Sequence, residues 1–222
     1  PAWGEVEEQA WANAYTTAAD VMIAGAQSCA GPAAWPARVV RHEMRTRDIA
    51  VLEVRTPEPV PYQAGQYVTV HTPRWLNVWR QFSVACAPAG DGTFELHVRA
   101  VPGGWVSGAL VRHTRPGDEI VIGPPVGTMT ADGIGGRDLV CVAGGTGLAP
   151  VKALVEGVLA RDEEAVAAGT GGRRNIHLFH GARTPLGFYD MPALRRLSGD
   201  YPWLQVVPVV SEGNGTPAAA SI

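Results

Sequence analysis

The sequence predicts an α+β multidomain chain: an antiparallel Greek-key β-barrel, then an incomplete doubly wound α/β domain, with one helix ahead of both. Three observations predict it. From Ala37 to about Thr130, short strands alternate with turn signals such as Asp91-Gly92 and Pro116-Gly117-Asp118, the pattern of a small barrel. From Arg137 onward strands alternate with helices, which argues for a parallel sheet. Ahead of both, Trp11, Tyr15, Ala18 and Met22 recur at helical spacing.

The first helix is expected over residues 1–27. Glu5, Glu7 and Glu8 lie toward its N-terminus, where negative charge complements the helix dipole. Gly25 and the run Cys29-Ala30-Gly31-Pro32 end it, and residues 31–36 read as a linker. A lone amphipathic helix has nothing of its own to pack on, so it docks on the next domain or closes a domain lying upstream. In the barrel, residues 38–45 and 48–56 form a hairpin, and residues 66–70 alternate polar and apolar. Residues 80–85, 93–101 and 119–122 are further strands, and residues 105–112 are the only helix. The run Asp132-Gly133-Ile134-Gly135-Gly136 marks the change of style. It divides the chain into 1–28, 36–131 and 136–222. Beyond it come a strand (139–143), a helix (148–160), a polar glycine-rich loop (165–174), a strand (175–180), a helix (191–197) and a strand (204–210). Three strands leave a parallel sheet unfinished, so the chain is expected to be cut short at this end and at its start.

Of the 222 residues, 46% are hydrophobic and 18% charged, as in an ordinary soluble globular chain with material for two cores. A net charge of -3 gives no reason to expect nucleic acid or an anionic membrane as partner. No apolar run approaches the length of a membrane span. Cys29, Cys86 and Cys141 form no Cys-x-x-Cys, and the six histidines show no ligand spacing. No metal site is expected, and free buried thiols fit a cytoplasmic protein.

The chemistry gathers in three places. Gly144-Gly145-Thr146-Gly147-Leu148-Ala149-Pro150 follows an apolar strand and opens a helix. Glycines let the backbone turn sharply and approach an anion closely, and the helix start offers unpaired N–H groups. Pro150 suits a first helical turn, though it stands where a full Gly-x-Gly-x-x-Gly would have its third glycine. In the barrel, Arg80-Gln81-Phe82-Ser83 places a bidentate phosphate donor, an aromatic on the same strand face and a hydroxyl within four residues. That set suits a pyrophosphate, a ribityl chain and a flavin ring; a solvated arginine beside a core phenylalanine would suit it too. Gly103-Gly104-Trp105-Val106-Ser107 opens the barrel helix and reads as a second anion site or as simple N-capping.

Together these three motifs resemble, in order and separation, the ferredoxin–NADP reductase family, whose flavin barrel precedes a nicotinamide domain. The resemblance implies FAD at Tyr67, Arg80, Gln81, Phe82 and Ser83, with Gly104 and Ser107 on its pyrophosphate, and extends the cofactor contacts to His97, Arg99 and Val106. It implies NADPH or NADH at Gly144, Gly145, Thr146, Gly147, Leu148 and Ala149. Ser83, placed near the flavin N5, is the catalytic candidate. Phe82 stands where the family usually has tyrosine. The helix bearing Ala10-Trp11-Ala12-Asn13-Ala14-Tyr15 looks like the last globin helix of flavohaemoglobins, which join a globin to such a reductase. That likeness implies a haem acceptor and nitric oxide dioxygenase chemistry in the whole protein, the haem itself held by a globin domain outside this sequence. The alternatives are the reductase component of a mono- or dioxygenase, with a different acceptor, and a non-catalytic flavin-binding module.

His180 ends the second α/β strand, where an adenine ribose is expected to lie. Arg183 just beyond it leans toward a 2′-phosphate and NADPH; a surface arginine would read the same. Ser211, ending the third strand, is a similar candidate. Trp75 and Trp79 flank the barrel motif and read as a cofactor cover or as packing.

Overall fold

The computed structural model describes residues 3–28 and 31–212, in two units divided after Ala33. Cys29 and the chain beyond Glu212 lie outside the described residues. The first unit is helix α1, Glu5–Ser28. Its first turn is acidic, and Glu7 accepts the Gly4 N–H at 3.0 Å, satisfying one of the donors that a helix start leaves free.

The second unit begins with a barrel of six strands: β1 Trp35–Met44, β2 Ile49–Arg55, β3 Tyr67–His71, β4 Trp79–Ser83, β5 Thr93–Arg99 and β6 Glu119–Ile122. Helix α2, Trp105–Arg112, lies between β5 and β6. The first strand takes in Trp35 and Pro36, so the expected linker is shorter than the glycine and prolines suggested. All pairings are antiparallel, in the order β4-β3-β6-β1-β2-β5. A bridge from Val84 to Leu96 and the Ala85 N–H on the Glu95 carbonyl at 2.8 Å bring β4 back to β5. Alternation drives this closure: Val39, Leu52, Val54, Val68, Val70, Val84, Leu96, Val98 and Ile122 are fully buried and fill one interior. Leu110 of α2 joins that core.

Strands β7 Leu139–Gly144, β8 Ile176–Ala182 and β9 Leu204–Val210 form a parallel sheet in that order. They are linked by helices α3 Leu148–Ala167 and α4 Met191–Asp200. One sheet face (Cys141, Ala143, Ile176, Leu178, Leu204, Val206) packs on Leu148, Val155, Val158, Leu159 and Leu194 of the two helices. Strand β7 reads in sequence as buried on both sides. In the fold its other face carries Val140 and Val142 at 65% and 76% exposure, because α3 and α4 cover only one side. Helix α3 also runs past residue 160, through the stretch expected to be loop. The continuation 161–167 is rich in good helix formers, and Asp162, buried on it, is tied by Arg174 at 2.6 Å.

The two domains share a core. Ile49 and Val51, on the outer face of β2, pack with the α3 and α4 residues. At Gly65, just before β3, φ is +95° and an added Cβ would lie 2.0 Å from the Met129 carbonyl oxygen and 2.9 Å from Leu154 of α3. Only glycine allows that approach of barrel, connecting loop and helix.

Candidate functional site

Register decides what the Arg80-Gln81-Phe82-Ser83 strand presents. In the β3–β4 ladder Val70 faces Arg80 and Val68 faces Phe82, while Thr69 faces Gln81 and Tyr67 faces Ser83. Directly opposed residues share a sheet face. Val68 and Val70 are core, so Arg80 and Phe82 lie on the interior side, Phe82 against the core and Arg80 exposed at the strand end. Ser83, Gln81 and Tyr67 lie on the outer side. The arginine and the aromatic therefore share one face, as their spacing predicts, and the hydroxyl lies on the other. The strand edge reunites them. Strand β4 pairs with β3 along Trp79–Ser83 and meets β5 only beyond it, at Val84 and Ala85. Among the described residues, the other edge of β4 from Arg80 to Ser83 has no strand partner. A ligand lying along that edge reaches both faces and the backbone between them.

Helix α2 touches both β4 and β5. Its N-cap is Gly104, with no side-chain cap. A Cβ at Gly104 would fall 2.4 Å from the Ser107 hydroxyl oxygen and 2.6 Å from Val101. The helix start is thus bare of side chains, with Ser107 and backbone N–H groups as donors, which fits an anion such as a pyrophosphate. Val106 is buried in the barrel core, which leaves it only its backbone to offer a ligand. Trp75, in the β3–β4 loop, stacks on Trp105 at 5.1 Å between centroids. With Arg74, Gly103, Gly104 and Arg112 they line a cavity of about 400 Å³. Trp79 packs instead against His71, the rings tilted by 36°.

The second site lies across β5. Gly145 has φ of +53°, and a Cβ there would come 3.2 Å from the Arg99 Nη1. A barrel arginine thus overhangs the glycine loop. Helix α3 has Gly147 as its N-cap and no side-chain cap; the Leu148 N–H turns back to the Gly145 carbonyl, so the glycine turn and the helix start form one continuous backbone surface with no capping side chain over it. Gly144, Gly145, Arg99, Arg183, Thr184 and Ser211 line one cleft of about 630 Å³ at the carboxyl ends of β7, β8 and β9. Arg183 and Ser211 accordingly share a cleft with the loop, at the edge where parallel sheets take ligands. His180 does not join them. It is fully buried against Phe188 and Tyr189, and burial holds its pKa below the ordinary histidine value.

His97 points into the junction between the barrel and the α/β domain. Its side chain is fully buried, with Nε2 2.8 Å from the Glu95 carboxylate and Nδ1 2.7 Å from the Tyr189 hydroxyl. The reason is alternation: Phe94, Leu96 and Val98 point into the barrel, so Glu95, His97 and Arg99 point out, and the first two meet the α/β domain. Lys152 of α3 completes this polar junction, donating to the Ala85 carbonyl at 2.9 Å and pairing with Glu95 at 3.1 Å and Glu156 at 3.0 Å. Burial works against the lysine's charge, but the two carboxylates outweigh it and raise its pKa. Burial would likewise raise Glu95; the His97 hydrogen bond and Lys152 outweigh that and lower it to about 2. Asp190 is buried with no hydrogen bond to Oδ2, His97 and Arg45 standing 3.9 Å from its oxygens, and burial pushes its carboxyl up. Ligand atoms of Glu95, His97 and Asp190 lie within 4.8 Å of one another, but the Lys152 ammonium already supplies the positive charge there.

A barrel with a bare helix start and an open strand edge, joined to a parallel sheet with a glycine loop, defines a class of protein. Residues 36–130 match the oxidoreductase FAD-binding domain and residues 141–221 the oxidoreductase NAD-binding domain. The chain carries both and has the ferredoxin reductase-like fold.

More particularly, it is 34% identical over 192 residues to the ferredoxin–NAD(P)(+) reductase component of the naphthalene 1,2-dioxygenase/salicylate 5-hydroxylase systems of a Ralstonia species, across 84% of this chain and 55% of that protein. It resembles the crystal structure of the Amycolatopsis cytochrome P450 reductase GcoB with a TM-score of 0.70 at 32% identity, over 81% of this chain and 52% of that one. Flavohaemoglobin from Malassezia yamatoensis superposes with a TM-score of 0.68 at 18% identity, over 83% of this chain and 47% of that one, a likeness of fold alone. The chain spans about half the length of the curated relatives it matches. Among the described residues, no helix is long and apolar enough to cross a membrane.

Proposed function

We propose that this chain is the flavin- and nicotinamide-binding part of an NAD(P)H-dependent oxidoreductase that serves as the reductase component of an oxygenase system. FAD, when bound, supplies the chemistry that accepts two electrons together and releases them singly. The chain's own residues bind and orient. Arg80, Gly104 and Ser107 hold the flavin phosphates, Tyr67, Phe82 and Ser83 flank its ring, and the 144–149 loop with Arg99, Arg183 and Ser211 holds NADPH or NADH. Phe82 brings apolar surface without a hydroxyl, which leaves Ser83 as the hydroxyl beside the ring.

The observation that carries this reading is the overhang of Arg99 on Gly145, which brings the end of a flavin-barrel strand to the nucleotide loop. The sequence alone favoured a haem acceptor. Relatives above 30% identity favour the oxygenase alternative, several of them being reductase components of dioxygenase or monooxygenase systems.

The test is anaerobic. The purified protein with FAD is expected to bleach on addition of NADH or NADPH and to pass electrons to a [2Fe–2S] ferredoxin faster than to a ferric globin. A flavin that never bleaches would leave only a binding module; faster reduction of the globin would restore the haem reading.

A further inference from the structure

Helix α3 does more than present the nucleotide loop. Lys152 and Glu156 stand one turn apart on it and pair at 3.0 Å. Both reach the barrel backbone just after β4: Lys152 Nζ donates to the Ala85 carbonyl at 2.9 Å, and Glu156 Oε2 accepts the Ala87 N–H at 3.0 Å. One residue's C=O and the N–H two positions on are thus taken by one helix face, much as a neighbouring strand would take them. The third Lys152 donor goes to Glu95 on β5 at 3.1 Å. An ammonium has three donors, and all three have a partner. Only 9% of the lysine side chain and 23% of the glutamate's are exposed, so water competes little for these bonds.

The anchored backbone lies next to the chemistry. Ala85 is two residues beyond Ser83, and Lys152 is five residues beyond Gly147. The path from the residue beside the flavin ring to the start of the nucleotide loop therefore runs through one lysine contact and one helical turn.

We infer that Lys152 and Glu156 are positioning residues that set the approach of the nucleotide loop to the flavin edge of the barrel. This rests on the function proposed above. Neither residue touches cofactor. Their part is to hold Ser83 and Gly147 at a fixed separation, and transfer between two bound groups falls steeply when that separation loosens.

The experiment compares wild type with Lys152→Met and Glu156→Ala, the second being the milder change should the first fold poorly. Three quantities are read: FAD affinity, anaerobic flavin reduction at saturating NADH or NADPH, and backbone hydrogen exchange. Both variants are expected to keep FAD affinity within about twofold and to lose roughly ten- to a hundredfold in the saturated reduction rate. Exchange is expected to speed up together at 85–87 and at 144–149. Wild-type reduction rates in either variant would overturn the inference, as would loss of FAD affinity in step with rate. Faster exchange confined to 85–87 would overturn it as well. A wild-type flavin that is not reduced at all counts against the proposed function instead, and the exchange readout then decides the coupling alone.

Discussion

Glu95 allows the interdomain junction to be tested by acid alone. Its carboxyl drops from an ordinary 4.5 to about 2, because burial is outweighed by the His97 hydrogen bond and the Lys152 charge. Arg41 adds a contact at 3.3 Å from β1, reaching across β2, while Glu156 and Asp190 stand on the α/β side. At about 1.4 kcal/mol per unit the shift corresponds to roughly 3 kcal/mol of stability. The folded value is the depressed one, so this stability is fully present above pH ~4.5 and is lost as pH falls toward 2. That size agrees with the cost of about 3–5 kcal/mol for breaking a buried ion pair by removing one partner. The assay is urea unfolding of wild type and Glu95→Gln at intervals from pH 7 to pH 3. The variant is expected to be less stable by roughly 3 kcal/mol at pH 7, and the gap to close by more than half by pH 3. Other carboxylates titrate in both proteins and cancel in the difference. A constant gap across the range, or none at pH 7, would refute the junction as described.

Asp190 carries the opposite sign: burial raises its carboxyl, so the cost to stability sets in as pH rises past the ordinary carboxyl value and is complete above the raised one. Asp190→Asn is expected to gain about 1–2 kcal/mol at pH 8 and nothing at pH 3 by the same unfolding assay. Gly65→Ala sets a Cβ 2.0 Å from the Met129 carbonyl oxygen at φ of +95°; calorimetry is expected to show a loss of about 3 kcal/mol from overpacking and backbone strain. Arg80→Ala removes the charge-assisted phosphate contact proposed above and is expected to weaken FAD binding by about ten- to a hundredfold, read by flavin fluorescence titration. Gly145→Ala crowds the Arg99 guanidinium at 3.2 Å; nicotinamide nucleotide affinity is expected to fall about tenfold in calorimetric titration, with FAD affinity unchanged.

Periodicity made most of the fold legible. Alternation in 66–70 and 93–99, turn glycines, and strand–helix alternation after 137 each mark a local backbone choice that the side chains dictate. The end of α3 was not legible, because 161–164 is charged throughout and interrupts the apolar periodicity, and its support comes from Arg174, a residue beyond the helix. Within the site, the glycine loop and the bare start of α2 were readable, since backbone approach demands glycine wherever the chain goes next. The split of Arg80 from Ser83 was half readable. Period two puts Arg80 and Phe82 together and Ser83 opposite, but the open edge that rejoins them depends on where β5 departs from β4. Lys152 left a fainter sign, a lysine with glutamate four residues on inside an otherwise apolar helical run.

The outer face of β5 shows why such residues are missed. Strand periodicity says which side chains point inward, and says nothing about what covers the other side. A row of Glu95, His97 and Arg99 reads as a solvated face, or by resemblance as cofactor contacts. In the fold two of the three are buried by a second domain and the third overhangs its loop. Burying charge is costly unless each group is paired, and here His97, Lys152, Arg41 and Tyr189 do the pairing. Apolar contact alone, as at Ile49 and Val51, would tolerate sliding, because the hydrophobic effect is non-directional. A junction of directional bonds admits one separation, and the two nucleotide sites proposed on either side of β5 need one separation to work together.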